Sequence, residues 1–302
     1  MGEVHQLVLS VGREAARAQT APGEADIAAM VLADETGETG FSYTGFALTA
    51  FPYKKLATDA SWSREGHQVT MTVDPGSLKV GGKVRKFGVP YGAHARLVMI
   101  YLQSEAVLNN SPTIELGGSL RSFATQRLGL EWGGSTGKGL QDQIYRLSAC
   151  SMKFFWSTAG RDHFECQRII RGGALSGSPA DDQQPRLWED TVTLDEEFYG
   201  HLRKHAVPLL DAAIRALADE PVALDVYVWL AYRLRSLEAP VPITWAALRD
   251  QFGPGYKTVR QFKYKFAPSL RRALAAYPDA VVAIEDQGVV LYPSRAPIVK
   301  RG

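Results

Sequence analysis

Apolar and polar positions change their period several times along the 302 residues, and each change marks an element. Over Tyr91 to Val107, Ala95, Val98, Met99 and Leu102 recur at i, i+3, i+4 and i+7. That spacing lines one face of a helix, and Asn109-Asn110-Ser111-Pro112 stops it. Thr113-Ile114-Glu115-Leu116 fits one short strand, and Ser119 to Leu128 a second helix with Leu120, Phe123 and Leu128 inward, ended by Gly129. A Gly-rich turn launches a third helix, Thr136 to Ala149, with the inner stripe Leu140, Ile144 and Leu147. Strand-like Ser151 to Trp156, a turn at Ala159-Gly160-Arg161-Asp162 and a second strand from His163 to Ile170 close a hairpin. Helix, strand, helix, turn, helix, hairpin is the order of a winged helix, a helix-turn-helix completed by a β-hairpin wing.

The same order returns in the C-terminal half without repeating the sequence. Helices are expected at Asp195 to Lys204, Leu209 to Leu217 and Ala223 to Leu237, and a strand at Val241 to Ile243. Thr244 caps a helix from Trp245 to Phe252, Gly253-Pro254-Gly255 makes the turn, and Tyr256 to Phe266 forms the next helix. Pro268 then starts a fresh helix to Ala276. Val281 to Ile284 and Val289 to Tyr292, joined by Glu285-Asp286-Gln287-Gly288, read as a second wing. The expected fold class is therefore α+β and mostly helical: two tandem winged-helix domains.

Residues 1–40 are rich in Ala, Glu, Thr and Gly, with few large apolar groups, and are expected to be a mobile tail. The aromatics return from Phe41, and the alternation from Gln68 to Val73 predicts a strand in a lead-in segment packed on the first domain. Residues 172–193 contain two prolines and little apolar surface, and read as a linker. The domains expected are 41–171 and 194–302.

Composition adds exclusions. Hydrophobic residues make up 45% and charged residues 22%, the balance of a folded chain rather than a disordered one. No apolar run reaches the length that crosses a bilayer, and the first residues lack the order of a signal peptide, so a cytoplasmic protein without a membrane partner is expected. Cys150 and Cys166 cannot build a disulfide framework, and neither they nor the six histidines have metal-ligand spacing. The net charge of +2 conceals large blocks. Lys and Arg against Asp and Glu run 5 to 10 over residues 1–78, 13 to 6 over 79–171, 7 to 13 over 172–252 and 9 to 3 over 253–302. Two basic segments suggest two surfaces for a polyanion, because neutralising phosphates supplies most non-specific DNA affinity.

The strongest candidate chemistry lies on the Tyr256–Phe266 segment. At 100° per residue, Val259, Phe262 and Phe266 share one arc, and Lys257, Arg260, Gln261 and Tyr264 the opposite one, with Lys263 and Lys265 flanking. Such a helix holds to its domain by the apolar side and offers cations and an amide to phosphates and major-groove base edges. Arg271 and Arg272 extend the track. The bland alternative is a basic surface helix without a partner. In the first domain the third helix turns Lys138, Gln141, Asp142, Tyr145 and Arg146 outward, a modestly basic face for secondary DNA contacts or for subunit contacts. Gly133 to Gly139 resembles a phosphate loop only superficially, with Trp132 and Gly139 where a glycine and a magnesium-binding hydroxyl are required. Trp229, Tyr232 and Trp245 read as core. No catalytic residue, metal or cofactor is expected.

Longer stretches carry a family likeness. Gly88-Val89-Pro90-Tyr91-Gly92 followed by Ala95 to Ala106, Ile114-Glu115-Leu116-Gly117, Arg127-Leu128-Gly129-Leu130, Arg146 to Cys150 with Phe154-Phe155-Trp156, Ala206-Val207-Pro208-Leu209, Ala223 to Leu234, Ile243 to Leu248, Gln251-Phe252-Gly253 and Tyr277-Pro278-Asp279-Ala280 resemble the RepA-type plasmid replication initiators. The resemblance spans residues 41–297. It implies a tandem winged-helix protein that binds direct repeats (iterons) in a plasmid origin, helps open neighbouring A·T-rich DNA, and recruits the host initiator and replicative helicase. It also implies dimerisation through the first domain, in equilibrium with monomers active at the repeats. The family commonly carries more basic residues after its Gly-Gly turn than Ser135 to Gln143 offer here, a departure that bears on base reading by the first domain. A winged-helix transcriptional regulator, including one repressing its own promoter, shares the same binding physics, whereas an enzyme would need a catalytic cluster.

Overall fold

The computed structural model describes residues 1–66, 69–158, 161–167, 169–174 and 191–298, with backbone alone for 157–158, 161–167 and 174. The chain is a mixed α/β protein that divides into two compact units: residues 1–48 together with 207–302, and residues 49–206. The first unit is thus made of two separated stretches of chain. Its N-terminal stretch departs from the mobile tail expected over residues 1–40. It forms α1 (Glu3–Val11), α2 (Arg13–Arg17) and α3 (Glu24–Leu32), then β1 (Thr39–Tyr43) and α4 (Thr44–Leu48). The residues these helices bury are mostly small: Ala16, Ala25, Ala28, with Ile27 and Val31. Alanine allows close helix packing but gives a weak hydrophobic signal, which is why the sequence reads as a tail. His5 is fully buried, and its Nε2 lies 2.8 Å from the Ala275 carbonyl near the other end of the chain.

The second unit opens with β2 (Trp62–Glu65), β3 (Val69–Asp74), β4 (Gly76–Val80) and β5 (Lys83–Phe87). Of the strand expected from Gln68, the first residue lies outside the described residues. Then come α5 (Gly92–Leu108), β6 (Thr113–Glu115), the short α6 (Leu120–Ser122) running into one π-helical turn at Phe123–Arg127, and α7 (Gly134–Ala149). Ser119 caps α6 by accepting from the Ser122 amide at 3.0 Å. α5 is buried on every side from Ala95 to Ser104 and forms the centre of this unit. α7 buries Leu140, Ile144 and Leu147, the stripe expected. The Trp132 ring packs against α7 at Gly137, where a Cβ would stand 2.7 Å from it, and the segment resembling a phosphate loop is largely the first helical turn of α7.

The strands β7 (Ser151–Thr158) and β8 (Arg161–Gln167) form the expected hairpin, although Ala159 and Gly160 of its turn lie outside the described residues. The hairpin is extended into a four-stranded sheet of order β2-β3-β7-β8. β9 (Ile170–Ala174) and β10 (Thr191–Leu194) pair antiparallel, and β10 also pairs with β6, giving the order β6-β10-β9. The two ends of the expected linker 172–193 are therefore in strands; residues 175–190 lie outside the described residues. α8 (Glu196–Lys204), expected in the C-terminal domain, belongs to this unit, with Phe198 and Leu202 buried and Asp195 capping its first turn.

The chain returns to the first unit through β11 (Ala206–Leu210), which pairs with β1, and α9 (Asp211–Ala216). α10 (Pro221–Arg233), β12 (Val241–Thr244), α11 (Trp245–Phe252), α12 (Val259–Ala275), β13 (Val282–Ile284) and β14 (Gly288–Leu291) follow in the expected order. β14 lies between β12 and β13, antiparallel to both, with Ile243 and Ile284 each opposite Val289. Aromatic rings fill the core: Trp229 meets Phe252 edge-on at 5.5 Å, Phe252 meets Phe266 at 5.2 Å, and Phe262 stacks on Phe266 at 4.7 Å. Trp229 and Trp245 are core residues, and Tyr232 is half-buried. One helix, not two, covers Val259–Ala275; Pro268 stands inside it, removing one backbone donor without ending the helix because Phe266, Leu270 and Ala273 on either side remain packed.

Candidate nucleic-acid interface

The face of α12 is built from a turn that only glycine fits. A Cβ on Gly253 would stand 2.6 Å from the Tyr256 ring and 2.8 Å from the Phe262 ring, so the chain between α11 and α12 can fold tightly over the aromatic core only without one. Thr258, in extended backbone, then caps α12 by accepting from the Gln261 amide at 3.2 Å. Lys257 consequently precedes the helix rather than lying on it. Phe262, Phe266 and Leu270 are buried, and Lys257, Arg260, Gln261, Tyr264, Lys265 and Arg271 are exposed, with Tyr264 at 75%. A shallow open groove lies along this face, lined by Arg260, Lys263, Tyr264, Lys265, Pro268 and Arg271.

The cations on this face are not equivalent. Lys263 donates to the Asp286 carbonyl at 3.1 Å, lies 3.7 Å from the Asp286 carboxylate and sits over the Trp245 ring at 5.3 Å. It fastens the β13–β14 turn to α12. The Trp245 indole donates to the carbonyls of Glu285 and Asp286, each at 3.1 Å, fixing the same turn from α11. Glu285 and Asp286 are exposed at that tip, so the hairpin end carries negative charge. Arg271 pairs with Glu24 of α3 at 3.0 Å and Arg272 with Glu220 at 2.5 Å. Lys257, Arg260 and Lys265 have no carboxylate partner among the described residues, and Lys265 lies 5.4 Å from the Tyr264 ring centre.

The three candidates on α7 separate. Lys138 is exposed and Gln141 half-buried. Arg146, expected to face outward, is 5% exposed. Its guanidinium pairs with Asp142 at 2.7 Å, donates to the Val89 carbonyl at 3.2 Å and lies 5.2 Å from the Tyr91 ring centre. It is an internal strut that ties α7 to the segment leading into α5, and no phosphate can reach it. Sequence reasoning also missed a basic element, the β4–β5 hairpin, in which Lys79, Lys83, Arg85 and Lys86 are all exposed. The signal was present: Gly81-Gly82 between two short runs of alternating character marks a tight hairpin.

Among the described residues no group of acidic, His and Cys side chains is placed to hold a metal, and no helix is long and apolar enough to cross a membrane. Burial pushes the Cys150 thiol up to about 12, which leaves it unreactive at neutral pH.

The family model described as "Plasmid encoded RepA protein" matches residues 89–251, more than half of the chain. The chain belongs to this family of plasmid replication initiators. The family match runs from the start of α5 through most of α11, and α12 with its exposed cations lies just beyond it. Among solved structures the chain is similar to domains 2 and 3 of RctB, determined as a selenomethionine derivative, at 12% identity with a TM-score of 0.54 over 85% of this chain and 99% of that one. A second structure, RctB residues 155–483, is similar at 12% identity with a TM-score of 0.48 over 81% and 93%. Likeness at that identity is likeness of fold. No curated protein matches the chain.

Proposed function

We propose that this chain binds double-stranded DNA at repeated sites (iterons) in a plasmid origin and, once bound, recruits the host initiator and replicative helicase. The observation that carries the reading is the division of α12: a buried stripe of Phe262, Phe266 and Leu270 and an opposite exposed face of Arg260, Gln261, Tyr264 and Lys265. The helix follows a glycine turn after α11 in a chain that belongs to a family of replication initiators. In this reading α10, β12, α11, α12 and the β13–β14 hairpin are a winged helix, supported by the position of β14 between β12 and β13. α12 is its recognition helix: Lys257, Arg260 and Lys265 neutralise phosphates, and Gln261 has the amide geometry that pairs with adenine. The β13–β14 tip, with its exposed carboxylates, stays off the backbone.

The other unit has the element order of a winged helix in α5, β6, α6, α7 and β7–β8, but β6 pairs with β10 instead of with the hairpin. Of its candidates Lys138 and Gln141 remain for DNA or subunit contacts, and the chain exchanges between monomer and dimer. Its work is binding, with no chemistry, metal or cofactor of its own, and it is carried out in the cytoplasm. The test is a nuclease footprint of the purified chain on DNA flanking its gene, together with maintenance of a plasmid bearing that DNA. Protections recurring at a fixed spacing, and maintenance that depends on the chain, are expected. Absence of protection, or maintenance without the chain, would overturn the reading.

A further inference from the structure

We propose that the β4–β5 hairpin is a second DNA contact, a basic two-stranded ribbon that lies along the duplex backbone and holds phosphates without reading sequence. The inference rests on the DNA-binding reading above and extends it to a surface outside α12. The ribbon is antiparallel, with Ser77 opposite Lys86, Leu78 opposite Arg85, Lys79 opposite Val84 and Val80 opposite Lys83. Cross-strand partners share a face and neighbours along a strand alternate. Lys79 and Lys86 therefore project from one face, and Lys83 and Arg85 from the other. The tip is Gly81-Gly82, both at positive φ (58° and 77°), which allows the tightest reversal and keeps side-chain bulk away from the end.

The ribbon is held at both ends by one face: Val80, beside the tip, is buried, and Phe87, at the root, packs its ring against Tyr145 of α7 at 5.5 Å. All four cations are nonetheless exposed, Val84 on the opposite face is 74% exposed, residues 76–87 contain no Asp or Glu, and none of the four cations pairs with a carboxylate among the described residues. Lys79 and Lys86 stand diagonally across one face, and Lys83 and Arg85 stand two residues apart along β5 on the other, so like charges are neighbours on each face. A polyanion relieves their repulsion.

The length and charge of the ribbon fit a duplex backbone. Strands of five residues reach about 17 Å, a length over which a duplex presents about ten phosphate charges. The ribbon offers no Asn or Gln to a base edge, so its contacts are electrostatic and independent of sequence.

The test uses the full chain with Lys79→Gln, Lys83→Gln, Arg85→Gln and Lys86→Gln combined. It is compared with wild type and with Lys257→Ala/Arg260→Ala on two labelled duplexes, one of random sequence and one from DNA flanking the gene. Affinity is measured by fluorescence anisotropy across salt concentrations. The hairpin variant is expected to lower the slope of log affinity against log salt by about two to four units, at up to about 0.9 per phosphate released. Its affinity loss should be the same factor on both duplexes. Lys79→Gln/Lys86→Gln alone, on the face away from α7, should give about half that change in slope with an unaltered unfolding temperature, which separates lost contacts from lost folding. Unchanged slopes for both hairpin variants, with the α12 variant impaired, would overturn the hairpin contact and leave the α12 reading standing. Wild type that binds neither duplex would overturn both.

Discussion

Arg146 and Arg260 carry the same charge on helices that occupy like places in the order of elements of their two units, yet one is a strut and the other has no carboxylate partner among the described residues. The difference comes from contacts remote in sequence: Arg146 is held by the Val89 carbonyl and the Tyr91 ring, neither of which a helical wheel of α7 contains. The wheel did place Arg260, Gln261 and Tyr264 outward correctly, because the three aromatic and aliphatic positions opposite them are local. Replacing Arg146 by Ala is expected to cost about 2 kcal/mol of stability, the scale of charge-assisted hydrogen bonds lost from a buried site, read as a lower denaturation midpoint with an unchanged salt dependence of DNA binding. His5 gives a second residue-scale expectation. Burial lowers its pKa below the ordinary 6.5, outweighing the backbone hydrogen bonds of the ring that favour its charged form. Its neutral form is thus favoured by folding. The contribution is complete above the unfolded pKa and is lost as pH falls through 6.5 toward the lower folded value. Thermal unfolding should therefore move to lower temperature between about pH 7 and pH 5, and His5→Gln, which keeps a donor for the Ala275 carbonyl, should flatten that dependence. Equal slopes for both proteins would remove His5 from the account.

At the scale of elements, most boundaries with clear stops were legible. Thr244 and Thr258 stand at the N-termini of α11 and α12, and both accept the amide bond a cap requires. The sequence placed Thr244 as a cap but started the next helix at Tyr256, because Gly255 ends the turn by composition while the cap that starts the helix is three residues on. Thr258→Ala should cost about 1 kcal/mol and reduce DNA affinity only through the ordering of the first turn, a change measurable by chemical denaturation. The split at Pro268 was misplaced for a related reason: proline disfavours the middle of a helix by about 3 kcal/mol, but packing on both sides outweighs that locally. The β4–β5 hairpin was missed although its Gly-Gly turn and the short alternation beside it were visible, since Lys and Arg occupy both faces and leave little apolar signal. The helices α2 and α3 were missed because alanine, which fills many of their buried positions, contributes little to a hydrophobic pattern, and α1 because the residue it buries is His5.

At the scale of the molecule, the two-unit division was expected but its chain course was not. Periodicity is a local property, and nothing in it indicates that residues 1–48 rejoin residues 207–302 across an intervening unit. That rejoining also revises the charge argument. Most carboxylates of the acidic first block, those within residues 1–48, lie in one unit with the basic last block, where Glu24 meets Arg271, and Glu220 from the acidic third block meets Arg272. Part of the C-terminal excess is therefore neutralised internally, and the positive charge available to a partner on α12 and its approach narrows to Lys257, Arg260 and Lys265, with Lys263 engaged at the β13–β14 turn. In the proposed function these side chains hold phosphates. The salt dependence of duplex binding by wild type and by Lys257→Ala/Arg260→Ala tests it most directly. The double variant should bind more weakly and lower the log–log slope by up to about two units, whereas a slope equal to that of wild type would contradict the assignment of α12 as the DNA-binding face.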